Sequence, residues 1–225
     1  MNKFEMWKGM YLSLIQKKMD DVCNLQKGNF FKVNKCPNEI DYNNLTILPI
    51  KNEVGIVGWH VKLCSIPNKD RIQAADVTMT KKSNRIVGFP KKKNRKHYSF
   101  LHRGHLLGTM FQNFIIISGF NFNKNNPNNI IVQTKRANCN SHNDHGQLYF
   151  ENCLYNKLVA AKSSNKEIEI YYRVEALYND INDVVPIGTY LYSRYCGIEN
   201  NDVIFNVFIP NYQEYEVINY SKGFK

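Results

Sequence analysis

The sequence lacks any apolar run that approaches the roughly 18 residues needed to cross a membrane as a helix. A clear secretion signal is missing as well. The best N-terminal apolar run, at residues 10–15, is short, is closed by Lys17 and Lys18, and precedes no small-residue cleavage site. We therefore expect no membrane-spanning helix. The location stays open, since an intracellular protein and an exported one are both compatible with these residues.

Acidic residues are scarce relative to basic ones. The 225 residues include 30 Lys and Arg but only 19 Asp and Glu, which leaves a net charge of +11. A positive field of this size attracts polyanions over a long range. We therefore expect nucleic acid as the partner, ahead of an anionic membrane surface. A soluble basic protein with no polyanionic partner is the remaining interpretation.

The six cysteines contain no Cys-x-x-Cys pair, and a chain of this length can form a core without disulfides. We expect reduced thiols. One set, Cys139-x2-His142-x2-His145-x7-Cys153, offers four ligands of the zinc type, but its spacing matches no familiar zinc finger. A polar loop is the preferred interpretation, so a structural zinc is not expected.

At 225 residues the chain fits a single domain, or at most one domain with a substantial appendage. Apolar residues at three-to-four spacing predict an amphipathic helix over about 3–25, whereas 26–53, with Gly28 and two prolines, has no regular pattern. Residues 54–64 predict a strand, and alternation within 167–211 predicts three more. Another helix is predicted over about 146–162, where Phe150, Leu154 and Leu158 share one face.

Lysine and arginine are concentrated between residues 81 and 97. Such a run is as compatible with a solvated face as with a surface that contacts phosphates. On the second interpretation, the substrate-binding residues are Lys81, Lys82, Arg85, Lys91, Lys92, Lys93, Arg95 and Lys96, and the segment beyond adds Gln133 and Arg136.

The segment that follows, Leu101-His102-Arg103-Gly104-His105-Leu106-Leu107-Gly108, carries the strongest chemical signal. It places three cationic or cation-capable side chains within four residues. A guanidinium can pair with two phosphate oxygens and always stays charged. A neutral imidazole can accept a proton from water, and a glycine lets the backbone turn close to a ligand.

Two more segments follow in a fixed order. Asn129 precedes the β-branched run 130–134, which predicts a strand, and Gln133 lies within that run. Asn138 comes five residues after Gln133. Gly146-Gln147-Leu148-Tyr149-Phe150-Glu151 then opens the predicted helix. The resulting order resembles the ββα-metal (His-Me finger) nucleases, specifically the DNA/RNA non-specific endonuclease family and its streptococcal secreted DNase-like branch. Arg-Gly-His alone would be a weak match, but the ordered set over about 98–162 is specific.

The resemblance implies a single nuclease domain over residues 1–225 with an α+β fold, in which a ββα-metal nuclease core lies on a mainly antiparallel β-sheet with flanking helices. It also implies a Mg²⁺-dependent endonuclease for DNA, with RNA as a further substrate, Mn²⁺ as a plausible substitute ion, and export from the cell. By resemblance His105 is the general base, Arg103 contacts phosphate, and Asn138 is the direct ligand of one hydrated ion. Glu151 would orient a water bound to that ion.

The sequence departs from the family pattern in two places. His102 stands where the family signature has aspartate, which leaves the local hydrogen bonding open. Asn138 and Glu151 are 13 residues apart, more than in the shorter branches of the family. The segment 140–145 must therefore loop out if both residues are to serve one ion.

Two other functions stay open at this point. One is a non-catalytic, basic nucleic-acid-binding protein that retains the fold. The other is a nuclease toxin domain held by an inhibitor protein, a partner that the sequence does not show. The joint presence of His105, Asn138 and Glu151 favours the enzyme.

Overall fold

The structure is a computed structural model that describes residues 13, 22–37, 45–53, 55–68, 73–83, 86–91, 98–140, 144–197, 203–213, 216 and 218–224. Most of the helix predicted over about 3–25 lies outside these ranges. Five of the predicted substrate-binding residues lie outside them too: Arg85, Lys92, Lys93, Arg95 and Lys96. None of the helices in the described ranges is long and apolar enough to cross a membrane.

The regular elements alternate between strands and a few helices. In chain order they are β1 (Val22–Gln26), β2 (Phe30–Val33), β3 (Ile47–Asn52), β4 (Gly55–Cys64), β5 (Gln73–Ala74), α1 (Val77–Thr80), β6 (Leu101–His105), β7 (Ile117–Ser118), β8 (Ile130–Thr134), α2 (Lys135–Asn138), α3 (Gln147–Ser163), β9 (Glu169–Leu177), β10 (Gly188–Tyr195) and β11 (Val203–Pro210). A short 3-10 turn, Thr109–Phe111, follows β6.

An antiparallel sheet of seven strands forms the centre of the molecule, in the order β1-β2-β11-β10-β9-β4-β3. Two small sheets, β5-β7 and β6-β8, stand beside it. The predicted α+β class, the strand over 54–64 and the three late strands are confirmed. The order β6, β8, α3 is the predicted ββα arrangement.

The end of the predicted N-terminal helix is wrong, since Val22–Gln26 is a strand. It pairs antiparallel with β2 across a tight turn at Gly28 and Asn29, whose φ values are +103° and +61°. The loop has three residues, since Gln26 pairs with Phe30 and the N–H of Asn29 donates to the carbonyl oxygen of Gln26 at 3.0 Å. Gly and Asn adopt the positive φ values of such a hairpin loop readily. The segment 26–53 is also more regular than predicted, because it contains β2 and β3.

Both faces of the central sheet are buried. Tyr171 and Tyr172 are neighbours on β9 and point to opposite faces, yet each is at most 1% exposed. On one face α3 packs through Leu154 and Leu158, as the periodicity predicted. This packing fixes the helix, and with it Glu151, against the sheet.

The buried side chain of Asn211, which follows β11, fastens the β6-β8 hairpin to the central sheet. Its Oδ1 accepts a hydrogen bond from the backbone N–H of Thr134 at 2.7 Å. Its Nδ2 donates to the carbonyl oxygens of Val132 and Pro186, both at 2.9 Å. A single amide thus satisfies three buried backbone groups and sets the position of β8 relative to the sheet.

We expect Asn211→Ala to lower the free energy of unfolding by about 2–4 kcal/mol, because the three backbone groups would be left unsatisfied in the interior. Urea denaturation followed by circular dichroism measures this. Asn182→Ala is the matched control, since Asn182 is exposed and its side chain bonds to the nearby Asp180; it should change stability by about 0.5 kcal/mol or less. Equal effects of the two substitutions would contradict the anchoring role.

Candidate active site

The glycine of the Arg-Gly-His motif is required by close packing within the hairpin. Gly104 pairs with Ile131 across β6 and β8, and the side chain of Gln133 crosses directly above it. A Cβ atom at residue 104 would lie 1.7 Å from Gln133 Oε1. The motif glycine and the glutamine of Asn-x3-Gln are therefore two halves of one contact.

The imidazole of His105 is held by a short hydrogen bond to the backbone. Its Nε2 lies 2.6 Å from the carbonyl oxygen of Phe122, which can only accept, so Nε2 carries the proton and Nδ1 has the lone pair. Burial lowers the pKa of His105 below its usual value, and the bond to Phe122 opposes that shift in part. The ring is therefore neutral near pH 7, with Nδ1 as a base.

Arg103 lies on the same face of β6 as His105 and contacts the same loop. Its Nη1 donates to Asn125 Oδ1 at 2.8 Å and to the carbonyl oxygen of Lys124 at 3.3 Å. The guanidinium carbon also lies 5.3 Å from the centre of the Phe89 ring. Residues 122–125 thus position both side chains of the motif.

The same loop brings two of the predicted substrate-binding lysines close to the motif. Asn121 Nδ2 donates to the carbonyl oxygen of Lys81, and the N–H of Ser83 donates to the carbonyl oxygen of Asn125. Lys81 and Lys82 are exposed on this docked segment, and so is Lys91 further along the chain.

Asn138, the predicted metal ligand, ends the one-turn helix α2 and is oriented by the unexpected His102. Asn138 Nδ2 lies 3.1 Å from His102 Nδ1, and Cys139 Sγ lies 3.4 Å from the same ring atom. Burial, and then the positive charge of Lys135, lower the pKa of His102. A neutral His102 can accept from the amide N–H at Nδ1, and this leaves Asn138 Oδ1 available as an acceptor or a ligand.

Glu151 is held by donors that converge on one of its two oxygens. Oε1 accepts from the backbone N–H of Gly108, from Gln147 Nε2 and from the Tyr172 hydroxyl, at 3.2, 3.0 and 3.3 Å. None of these donors uses Oε2. The carboxylate is therefore fixed in orientation, while among the described residues these bonds leave Oε2 available for another partner.

Gly108 makes room for this carboxylate. Its φ of −65° suits any residue, but a Cβ atom there would lie 2.6 Å from Glu151 Oε2. The requirement for glycine is therefore one of space. The repeated Gly104 and Gly108 of the motif both mark places where a polar side chain from another element packs on the backbone.

The arrangement fits a mostly hydrated divalent ion. It offers an amide oxygen at Asn138 and a carboxylate oxygen at Glu151, which are hard ligands of the kind that Mg²⁺ prefers. In the described part of the chain no hydrogen bond joins these two residues directly. Both are linked to β6 or to the residues just after it. Asn138 is bonded to His102 on β6. Gln147 donates to the carbonyl oxygen of His105, and Glu151 accepts from the N–H of Gly108, just beyond the end of β6.

Two of the predicted substrate-binding residues are engaged within the protein. Gln133 is fully buried and donates to Gln147 Oε1 and to Thr189 Oγ1. Its position shapes the interior of the site and gives its side chain no access to a substrate. Arg136 donates from Nε to Asp144 Oδ1 at 2.5 Å and lies over the Tyr212 ring at 4.4 Å.

Sequence reasoning missed Lys135 as a cation of the site. Lys135 is exposed, lies three residues before Asn138 on α2, and is close enough to His102 to lower its pKa. The spacing was the available signal, since residues three apart share one face of a helical turn.

The described residues of the predicted zinc set, Cys139, His145 and Cys153, do not form a metal-binding cluster. Cys139 contacts His102, whereas the His145 ring is stacked on Tyr149 with 3.8 Å between centroids, and His142 lies outside the described ranges. No group of three or more His, Cys, Asp or Glu side chains that could hold a metal ion occurs among the residues described.

No family model matches the chain. Among solved structures, NucA from Streptococcus agalactiae with no metal bound is similar at a TM-score of 0.67 and 20% identity, and covers 95% of this chain and 94% of its own. The same protein with a magnesium ion bound gives a TM-score of 0.68 at 19% identity, covering 95% of each chain. The chain therefore has the fold of NucA over nearly its whole length.

The burial of Glu151 predicts that stability falls as pH rises. Burial raises the pKa of Glu151 to about 7, from about 4.5 when unfolded, and the bonds from Gln147, Gly108 and Tyr172 offset only part of that rise. The folded state thus retains a proton that the unfolded state releases. Stability present below pH 4.5 should decrease by about 3 kcal/mol as pH rises through 7.

Urea denaturation in EDTA at pH 5 and pH 8 measures this. Glu151→Gln keeps the shape without the titration, so it should be close to the unsubstituted protein at pH 5 and clearly more stable at pH 8. A variant that is equally destabilised at both pH values would contradict the raised pKa.

Proposed function

We propose that this protein is a divalent-metal-dependent, non-specific endonuclease that hydrolyses phosphodiester bonds of DNA, with RNA as a second substrate to be tested. The observation that carries the proposal is the state of His105. Its Nε2–H is held by the Phe122 carbonyl, its ring is neutral, and its Nδ1 is a base on the strand that also positions Asn138. A binding protein has no need of such an arrangement.

His105 acts on the attacking water. Nδ1 accepts the proton while the ring stays fixed by the bond from Nε2 to Phe122, so the oxygen that attacks phosphorus gains nucleophilicity. The resulting imidazolium is stabilised by the carbonyl oxygen that Nε2–H already faces. The neutral starting ring follows from burial, which keeps its pKa below the working pH.

Asn138 and Glu151 would hold the divalent ion, Asn138 through Oδ1 and Glu151 through a water on Oε2. A bound ion of this kind supplies charge stabilisation at the phosphoryl and leaving oxygens. NucA, which has the same fold, has been solved with magnesium bound, and this supports Mg²⁺ as the ion, with Mn²⁺ as a substitute. Both side chains would offer an oxygen atom to the ion, and oxygen ligands support the same choice.

The cations around the motif bind the phosphate backbone. Arg103 presents its guanidinium beside His105, and Lys81, Lys82 and Lys135 are exposed on segments that contact the loop at 121–125 or His102. Contacts of this kind recognise phosphates and carry little sequence information. The expected specificity for base sequence is accordingly low.

Cleavage of plasmid DNA, single-stranded DNA and RNA in Mg²⁺, in EDTA and with His105→Ala tests the proposal. We expect cleavage to stop in EDTA. We expect it to fall by roughly 10²-fold or more in His105→Ala, because the general base is lost. The pH profile of the unsubstituted protein should rise through a pKa below 6.5 and then level off, since His105 must be deprotonated to act.

Arg173→Gln is the matched control, because Arg173 is bonded to Glu175 on the central sheet, outside the motif. Undiminished cleavage by His105→Ala would remove the mechanism. Absence of cleavage by the unsubstituted protein with every divalent ion tested would favour the non-catalytic nucleic-acid-binding protein instead.

His102 should control how tightly the ion is held. With His102→Ala, the Asn138 amide loses its acceptor and can rotate, and lost support of a ligand typically weakens metal binding about 10-fold to 100-fold. Titration of Mn²⁺ followed by electron paramagnetic resonance of the free ion measures this without any substrate. His102→Gln, which offers a neutral acceptor, should recover most of the affinity. Equal Mn²⁺ affinity in all three proteins would contradict the orienting role.

A further inference from the structure

A groove of about 740 Å³ lies on the flank of α3 that faces away from Glu151. Tyr149 and Cys153 line it from α3. Each is two residues from Glu151 and therefore about 160° away around the helix. The opposite wall is formed by the β1-β2 hairpin and by β11. We call this feature the α3-β11 groove.

The charge of the α3-β11 groove is entirely positive in the described part of its lining. Lys27, Lys32 and Lys157 line it and are all exposed, and no aspartate or glutamate is among the described lining residues. Lys157 Nζ lies 5.7 Å from the centre of the Tyr195 ring. A concave surface with cations on both walls concentrates anionic ligands.

Flat rings line the same groove in a nearly parallel series. The rings of His145 and Tyr149 stack at 3.8 Å with an angle of 3° between planes, and Phe30 lies 5.9 Å from His145 at 22°. All three side chains are half-buried. Because the three side chains are only half-buried, part of their ring surface is exposed in the groove, where a further flat ring can stack.

The β1-β2 wall of the groove is bonded to the loop that connects α2, which carries Asn138, to α3. The backbone N–H of His145 donates to the carbonyl oxygen of Gly28 at 2.8 Å, and Asn29 Nδ2 donates to Asp144 Oδ1 at the same distance. A Cβ atom at Gly28 would lie 2.7 Å from the His145 ring. The β1-β2 turn is thus packed on the loop between α2 and α3. This loop lies between the groove and Asn138 along the chain.

We propose that the α3-β11 groove binds an unpaired stretch of the nucleic-acid substrate, beyond the phosphate that is cleaved. The lysines contact phosphates, and bases stack on the Tyr149–His145–Phe30 platform, the combination by which proteins bind single strands without reading sequence. A duplex is excluded from such contacts because its base faces are already stacked. The inference rests on the proposed nuclease function and specifies its substrate as single-stranded or locally opened.

Fluorescence anisotropy of a labelled oligothymidylate, alone and annealed to oligoadenylate, tests the proposal in the full-length His105→Ala chain with Mg²⁺. Replacing Lys27, Lys32 and Lys157 together by Gln should weaken single-strand binding about tenfold or more. It should also reduce the slope of log affinity against log salt by about 2, since each phosphate contact on a single strand contributes about 0.7. The control replaces Lys51, Lys162 and Lys166, which are exposed outside the groove lining, and should change affinity less than threefold.

Tyr149→Ala tests the stacking platform separately. It should weaken single-strand binding about tenfold and duplex binding far less, because a base loses its stacking partner. Tyr155→Ala is its control on the same helix, since the Tyr155 ring packs against Phe114 outside the groove. Photo-cross-linking with 5-iododeoxyuridine, mapped by mass spectrometry, should place the strand at Tyr149 or Phe30.

Equal weakening by both lysine triples, or cross-links confined to residues outside the groove, would overturn the proposal. So would competition by polyglutamate as effective as that by the oligonucleotide, because it would reduce the groove to a surface for any polyanion. The outcome is separable from that of the proposed function. If the protein cleaves DNA but is insensitive to these substitutions, the proposed nuclease function stands and the groove proposal fails. If it binds single strands at the groove but does not cleave, the proposed nuclease function fails and single-strand binding at the groove stands.

Discussion

The buried amide of Gln147 joins the three elements on which the rest of the site depends. Its Nε2 lies within hydrogen-bonding distance of the carbonyl oxygens of His105 and Leu106 and of Glu151 Oε1, and its Oε1 accepts from Gln133. The end of β6, the first turn of α3 and the side chain from β8 are thereby held together in the interior. Because buried polar groups are costly when unpaired, these contacts restrict the hairpin and the helix to one relative position.

Around that point, each of the proposed catalytic and metal-binding groups has one atom bonded to the scaffold and another left available. His105 commits Nε2 to Phe122, Asn138 commits Nδ2 to His102, and Glu151 commits Oε1 to three donors. Orientation of this kind is what pre-organised catalytic groups require, since a side chain that need not reorganise loses nothing at the moment of reaction. The glycines of the motif contribute by leaving space for Gln133 and Glu151.

Much of this was predictable where the signal was local. The face of α3 with Leu154 and Leu158 followed from periodicity, and the strand Gly55–Cys64 followed from its β-favouring residues. The ββα order of hairpin and helix in the core was implied by the resemblance of the motifs to a nuclease family. The β1-β2 hairpin was missed, although Lys27-Gly28-Asn29 carries a turn signal, because the apolar pattern before it was interpreted as one continuous helix. The predicted substrate contact of Gln133 gave way to a buried role, since its residue type does not reveal that it crosses above Gly104.

The sequence by itself determined which chemical groups are present and in what order: a base, an amide, a carboxylate and a surplus of lysine, spaced along two strands and a helix. Only the tertiary structure decided how they are held. His102 and Asn138 are 36 residues apart, and Gly108 and Glu151 are 43 apart, yet each pair is in contact. Spacing along the chain fixes neighbours within a strand or a helical turn, whereas contacts between elements depend on how the sheet and helix pack. The same reason explains the α3-β11 groove, whose lysines come from a hairpin and a helix that meet only in the folded protein.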